Sequence, residues 1–382
     1  MKKAKNIIIL ILSAASITSC SKQLGTTKSS HSAESFSAGE ALTASLDTRA
    51  IEIQEVEKML DCADGIQYEF SDSKYNFTGR WYEKEIDGIS HYITVNDGSE
   101  LYFAAYGTNT VDIYFTVITE KKTPYFAYSI DGSEPVRQLI TESAIPLPDK
   151  GAHIIRIITD GITESERKFS GEIGFAFREA DAGNGKIIGI KPVSKTIMFF
   201  GDSITEGVRA LSMDADSDGN SATHSYPWYC CRSLGAIPVN VGFAASGIVG
   251  AGSFAPCLET IDKLSATRNT DSIPAPDIVI LAHGHNDIYF SSADFVPRYN
   301  AVLRRLHEKY PDTKIVILIP FSQTHAEDIR SCASEFEFIK LIETDGWNPA
   351  TTDGIHLSAA GAKTAGFKLA SELEKIFGED YF

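Results

Sequence analysis

The feature that most constrains this chain is a change of pattern at Lys195. From there on, short apolar runs alternate with helical stretches. The runs Thr196 to Phe200, Ile237 to Val241, Asp277 to Ala282 and Lys314 to Ile319 are near-continuous in apolar residues. Such runs read as strands buried on both faces. Helices are expected near Tyr226 to Leu234, Ala293 to Glu308 and Ala359 to Phe377. The alternation predicts a three-layer α/β fold, a parallel sheet covered on both sides. Its first strand runs straight into Gly201-Asp202-Ser203-Ile204-Thr205-Glu206-Gly207. Ser203 therefore sits at the carboxyl end of a strand, where open α/β sheets place their chemistry. Taken alone, Gly-Asp-Ser is also ordinary turn punctuation.

The preceding half reads as β. Aromatic or β-branched runs recur at Arg80-Trp81-Tyr82, His91 to Val95, Leu101 to Tyr106, Val111 to Val117, Tyr125 to Ile130, His153 to Ile158 and Ile173 to Phe177. Turns such as Asn96-Asp97-Gly98 and Asp131-Gly132 separate them. With no helical stretch expected after about Leu60, this predicts an all-β sandwich or jelly roll over 50–190. The α/β domain is expected over 191–382, the boundary lying where Gly and Pro interrupt the pattern between Gly185 and Val193.

Three further stretches follow strands or approach the C-terminus: Val241 to Gly247, Leu281 to Asp287, and Asp353-Gly354-Ile355-His356. Ester cleavage needs a nucleophile, a base for its proton and donors for the developing oxyanion. Ser203 supplies a hydroxyl and His356 a base. Asp353, three residues earlier, can hold the imidazole in one tautomer. Gly247 offers an unobstructed N–H, with Gly242 and Gly250 as neighbouring alternatives, and Asn286 offers an amide. His283 and His285 are expected to shape the strand end, because His356 has its own acid. Asp202 and Asp287 are expected to hold loop backbone.

Gly-Asp-Ser, the later Ser-Gly, Gly-x-Asn-Asp and Asp-x-x-His, in this order, resemble the four blocks of the SGNH (GDSL-type) hydrolase superfamily. The resemblance covers residues 195–382. It implies a flavodoxin-like hydrolase domain with a Ser203–His356–Asp353 triad. The oxyanion hole would be formed by the Ser203 N–H, Gly247 and Asn286, without metal or organic cofactor. Upstream, Asp131-Gly132, Gly151-Ala152-His153, Thr163-Glu164 and a Phe-rich strand are similar to carbohydrate esterase family 2. That family joins a jelly roll to an SGNH domain and removes O-acetyl groups from plant cell-wall sugars. The expected partner is then an O-acetylated oligo- or polysaccharide. Hydrolysis of lipid or other small esters, and glycan binding without turnover, are the alternatives.

The chain of 382 residues has a formal net charge of −16. An acidic balance argues against nucleic acid as a partner. Asp214, Asp216 and Asp218 resemble half of a calcium loop, but Ser225 stands where a bidentate Glu would close it. The loop reads as solvated and acidic. Trp347 suits either a sugar face or the core, and Tyr226, Trp228 and Tyr229 read as packing. Apart from Cys20, five cysteines form no Cys-x-x-Cys pair, so zinc ligation is not expected and most read as small core residues.

Residues 1–19 read as a bacterial lipoprotein signal. Lys2, Lys3 and Lys5 precede the short apolar core Ile7 to Leu12, then small residues and Cys20. Lipid on Cys20 and a flexible tether over 20–49 would anchor the protein in the cell envelope. We expect Cys20→Ala to abolish metabolic incorporation of labelled palmitate and to move the protein out of the membrane fraction. Unchanged labelling would refute the anchor.

Overall fold

The structure is a computed structural model. It describes residues 65–250 and 255–382, with Gln54, Val56 and Glu57. The leader, Cys20, the tether and Cys62 lie outside the described residues.

The β half is a sandwich of two antiparallel sheets. One has the strand order Lys186–Ile188, Glu100–Tyr106, His153–Gly161, Tyr125–Ile130 and Val136–Leu139, with Asn76–Thr78 also pairing onto Glu100–Tyr106. The other runs Tyr82–Ile86, Ile89–Thr94, Phe175–Asp181, Thr110–Val117 and Ala144–Pro146. Leu101, Phe103, Ile113, Phe126, Ile157 and Phe177 fill the space between them. Aromatic rings here meet edge to face, as Tyr75 does with Phe177 at 5.1 Å. The aromatic richness of this half therefore builds core.

His153–Gly161 does not alternate in sequence, because all nine of its residues are buried. Its outer face is covered by the α/β half. Ala127 and Ile158 pack on Trp228, and Ile154 lies in one cluster with Ile237. Arg156 pairs with the fully buried Glu100 at 2.6 Å and lies 4.5 Å from the centre of the Trp228 ring.

The parallel sheet has the order Ile237–Gly242, Thr196–Gly201, Ile278–Ala282, Lys314–Leu318 and Ile339–Ile342. In chain order that is 2-1-3-4-5, the flavodoxin-like arrangement. Successive strand residues face opposite layers. Met198 and Phe200 meet helix Ser292–Lys309, whereas Ile197 and Phe199 meet helices Tyr226–Leu234 and Ala359–Phe377. Ser225 and Ser358 cap the latter two helices through their side chains. Cys230, Cys231, Cys257 and Cys332 are free and buried in these layers.

Four features depart from the sequence reading. A short helix, Lys168–Gly171, interrupts the β half. The expected strand at Arg80 begins only at Tyr82, since Arg80 turns inward to donate to the carbonyls of Thr260 and Lys263. Ile339–Ile342 forms a fifth, edge strand, too short to stand out as an apolar run. Ala326–Ser334 is a helix whose buried face is only Ala326, Ile329, Cys332 and Ala333. Phe177 is fully buried between the two sheets. Phe177→Ala should lower unfolding free energy by about 3–5 kcal/mol. A urea midpoint equal to the parent's would contradict this account of the core.

Candidate active site

Strand Thr196–Gly201 ends in a turn that admits no side chain at Gly201. A Cβ there would lie 1.9 Å from Thr205 Oγ1. The turn opens helix Ser203–Glu206, with Asp202 Oδ1 accepting from the Ile204 N–H at 2.9 Å. Asp202 is buried, which pushes its carboxyl up to about 7; the Ile204 N–H works in the opposite direction and the charge of Asp287 adds to the rise. Its role as a holder of loop backbone agrees with the sequence expectation.

Ser203 Oγ lies 2.9 Å from His356 Nε2. His356 Nδ1 lies 2.8 Å from Asp353 Oδ2. The other oxygen of Asp353 accepts from the backbone N–H groups of His356 at 2.8 Å and Ile355 at 3.0 Å. Partial burial raises the Asp353 pKa, but these hydrogen bonds outweigh it and hold the carboxyl at about 2. An ionised Asp353 accepts the Nδ1 proton, so Nε2 faces the serine as an acceptor. Ser203 and His356 are both buried, the former 5% and the latter 6% exposed, which keeps bulk water from competing for their contact.

Asp287 shapes the facing loop. It accepts from the N–H groups of Ile248 at 2.8 Å, Val249 at 2.8 Å and Gly250 at 3.3 Å. Asn286 Nδ2 donates to Ser246 O at 2.9 Å, leaving its second N–H available. A Cβ on Gly247 would lie 2.7 Å from Gly250 O and 2.8 Å from Asp287 Oδ1. Gly242 and Gly250 both spend their N–H groups on side-chain carbonyl or carboxylate oxygens. Gly247 N–H and Ser203 N–H donate to no acceptor among the described residues. The structure thus leaves three donors of the kind an oxyanion requires on Ser203, Gly247 and Asn286.

His283 is buried, and desolvation pushes its imidazole down to about 4. His285 is also pushed down, first by burial and then by His356. Among the described residues, Ser203 Oγ bonds to neither of them. Lys122 Nζ bridges Asp216 and Asp218, so those two acids are paired to an ammonium. Trp347 is half-buried, 6.2 Å from Phe321, with Lys368 Nζ 5.8 Å from its ring centre. A small cavity of about 10 Å³ lies beside helix Ser203–Glu206, lined by Asp202, Ile204, Tyr226, His285, Leu318 and Phe321 among others.

Two charged groups near Ser203, His356 and Asp353 carried no sequence signal of their own role. Arg209 Nη1 lies 3.5 Å from Asp353 Oδ2 and 3.6 Å from Glu164 Oε2. Glu206, at the end of helix Ser203–Glu206, pairs with Lys168 from the β half. Both contacts join residues far apart in the chain, so no local spacing announces them.

Residues 199–364 match the GDSL-like Lipase/Acylhydrolase family. No curated protein matches in sequence. Among solved structures, the chain is similar to a family two carbohydrate esterase from Clostridium thermocellum in complex with cellohexaose. That match has TM-score 0.64 and 19% identity, covering 80% of this chain and 99% of the other. A family two carbohydrate esterase from Cellvibrio japonicus has TM-score 0.65 and 17% identity, covering 83% and 98%. An acetyl xylan esterase from the rumen bacterium Butyrivibrio proteoclasticus has TM-score 0.63 and 16% identity, covering 82% and 99%. At these identities the likeness is one of fold: the same β sandwich and parallel-sheet domain.

Because Asp353 titrates lower folded than its ordinary 3.8, its contribution to stability is present above about pH 4. It is lost as pH falls towards 2. We expect Asp353→Asn to be less stable than the parent at pH 5 and to approach it at pH 2.5. An equal gap in urea midpoint at both pH values would contradict this.

Proposed function

We propose, from the GDSL-like hydrolase domain at residues 199–364, that this protein is a serine carboxylic ester hydrolase that removes short acyl groups, chiefly acetyl, from carbohydrate. The observation that carries the reading is the unbroken hydrogen-bond chain from Ser203 through His356 to Asp353. Ser203 Oγ attacks the ester carbonyl carbon while His356 Nε2 takes its proton. The carbonyl oxygen becomes an oxyanion held by the Ser203 and Gly247 N–H groups and the free N–H of Asn286. The tetrahedral intermediate collapses, and His356 returns the proton to the departing sugar hydroxyl. Water, deprotonated by the same imidazole, then attacks the acyl-enzyme and releases acetate. Asp353 holds the imidazole throughout and stabilises it when charged.

Carbohydrate is favoured by the architecture shared with the carbohydrate esterases above. A short acyl group is favoured by the likeness to the acetyl xylan esterase among them. A lipid ester is the second reading. It draws on the exposed Ile288 and Tyr289, directly after Asn286-Asp287, and on the exposed Ile355 between Asp353 and His356.

Acetate release from acetylated xylan, mannan and pectin, set beside release of octanoate from octanoyl esters, separates the two readings. We expect acetate to dominate, and Ser203→Ala to lower kcat by about 10³-fold or more. Parent-like turnover by folded Ser203→Ala would remove the nucleophile assignment. Preferential octanoate release would replace carbohydrate by lipid.

A further inference from the structure

Glu206 occupies an unusual place for a carboxylate. It closes the four-residue helix that begins with Ser203, it is 2% exposed, and its own N–H donates to Asp202 O at 3.0 Å. Its two oxygens point in different directions. Oε1 accepts from Lys168 Nζ, and Oε2 accepts from the Ala244 N–H at 2.8 Å. Ala244 lies three residues before Gly247, in the segment that presents the Gly247 N–H and the Ser246 carbonyl to which Asn286 is tied. Lys168 is 1% exposed and lies on the short helix of the β half.

Burying two full charges carries a large desolvation penalty, and such pairs are weak devices for stability. This pair joins the nucleophile helix, the loop of the oxyanion donors and the β sandwich at one point. A second buried carboxyl, Asp97 of the β half, stands close by. Burial pushes it well above its ordinary range, against the pull of Lys168. The ion pair that Lys168 makes is with Glu206.

We propose that Lys168 is a positioning residue for the ester-cleaving centre, acting through Glu206 to hold Ser203 and the Gly247 donor at one spacing. This rests on the esterase reading. The β sandwich then contributes to turnover as well as to architecture, although none of its residues belongs to the triad. Loss of the pair should leave substrate binding largely unchanged. It should weaken transition-state stabilisation, because oxyanion geometry tolerates little displacement.

Lys168→Met alone strands a buried carboxylate, and that variant is exposed to misfolding. The decisive protein is therefore the double variant Lys168→Met with Glu206→Gln. It removes both charges and keeps a side-chain carbonyl able to accept from Ala244. Four quantities are measured on the full chain: Tm, kcat and KM for p-nitrophenyl acetate, and the rate of fluorophosphonate labelling of Ser203 followed by intact mass. We expect a cooperative Tm close to the parent's, kcat and labelling rate lower by about 10- to 100-fold, and KM within about twofold. A folded double variant with parent kcat and labelling rate overturns the proposal, as does a rise in KM alone. A double variant that does not fold assigns the pair to stability and overturns it too. A parent that neither hydrolyses the ester nor labels at Ser203 fails at the esterase reading itself, which is a distinct result.

Discussion

A serine hydroxyl is a weak nucleophile until a base stands ready for its proton. Everything at this centre depends on the 2.9 Å contact between Ser203 Oγ and His356 Nε2, across 153 positions of sequence. The contact exists because both ends of the α/β half are fixed independently. Strand Thr196–Gly201 is paired on both sides within the sheet and buried on both faces, so Ser203 has little freedom. His356 precedes helix Ala359–Phe377, which packs closely on helix Tyr226–Leu234. A Cβ at Gly366 would lie 2.6 Å from Tyr229 Cβ. The turn carrying the imidazole is positioned by that docking and by the backbone hydrogen bonds to Asp353.

The rest of the centre is built from acids that hold backbone. Asp202 fixes the start of helix Ser203–Glu206, Asp287 gathers three N–H groups of the facing loop, and Glu206 takes a fourth from Ala244. A carboxylate has acceptor sites for several donors at once, and buried loop amides need such partners. Acids cluster around this centre for that reason. Among these acids, Asp353 is the one that meets the His356 imidazole.

The β sandwich is more than an appended module. The outer face of one of its sheets is buried by Trp228 and Ile237, and it delivers Lys168 to Glu206 and Glu164 to Arg209. A strand that would otherwise face water is therefore buried on both sides. This explains why His153 to Ile158 shows no period-two alternation.

The sequence by itself determined the architecture, because burial on both faces of a parallel sheet demands continuous apolar runs and a solvated or packed β sandwich demands short aromatic ones. It also determined the four motifs whose residues meet at the candidate site, since Gly-Asp-Ser, Ser-Gly, Gly-x-Asn-Asp and Asp-x-x-His each carry their chemistry within a few residues. Short elements escaped it. The edge strand Ile339–Ile342 has little apolar length, and helix Lys168–Gly171 has no period to detect. Only the tertiary structure decided which glycine keeps a free N–H, because that depends on where Asp287 and Asn240 send their oxygens. Only it could pair Lys168 with Glu206 or bring Arg209 to Asp353. Such contacts join distant chain segments through burial and charge, and neither composition nor spacing encodes which buried charge another will meet.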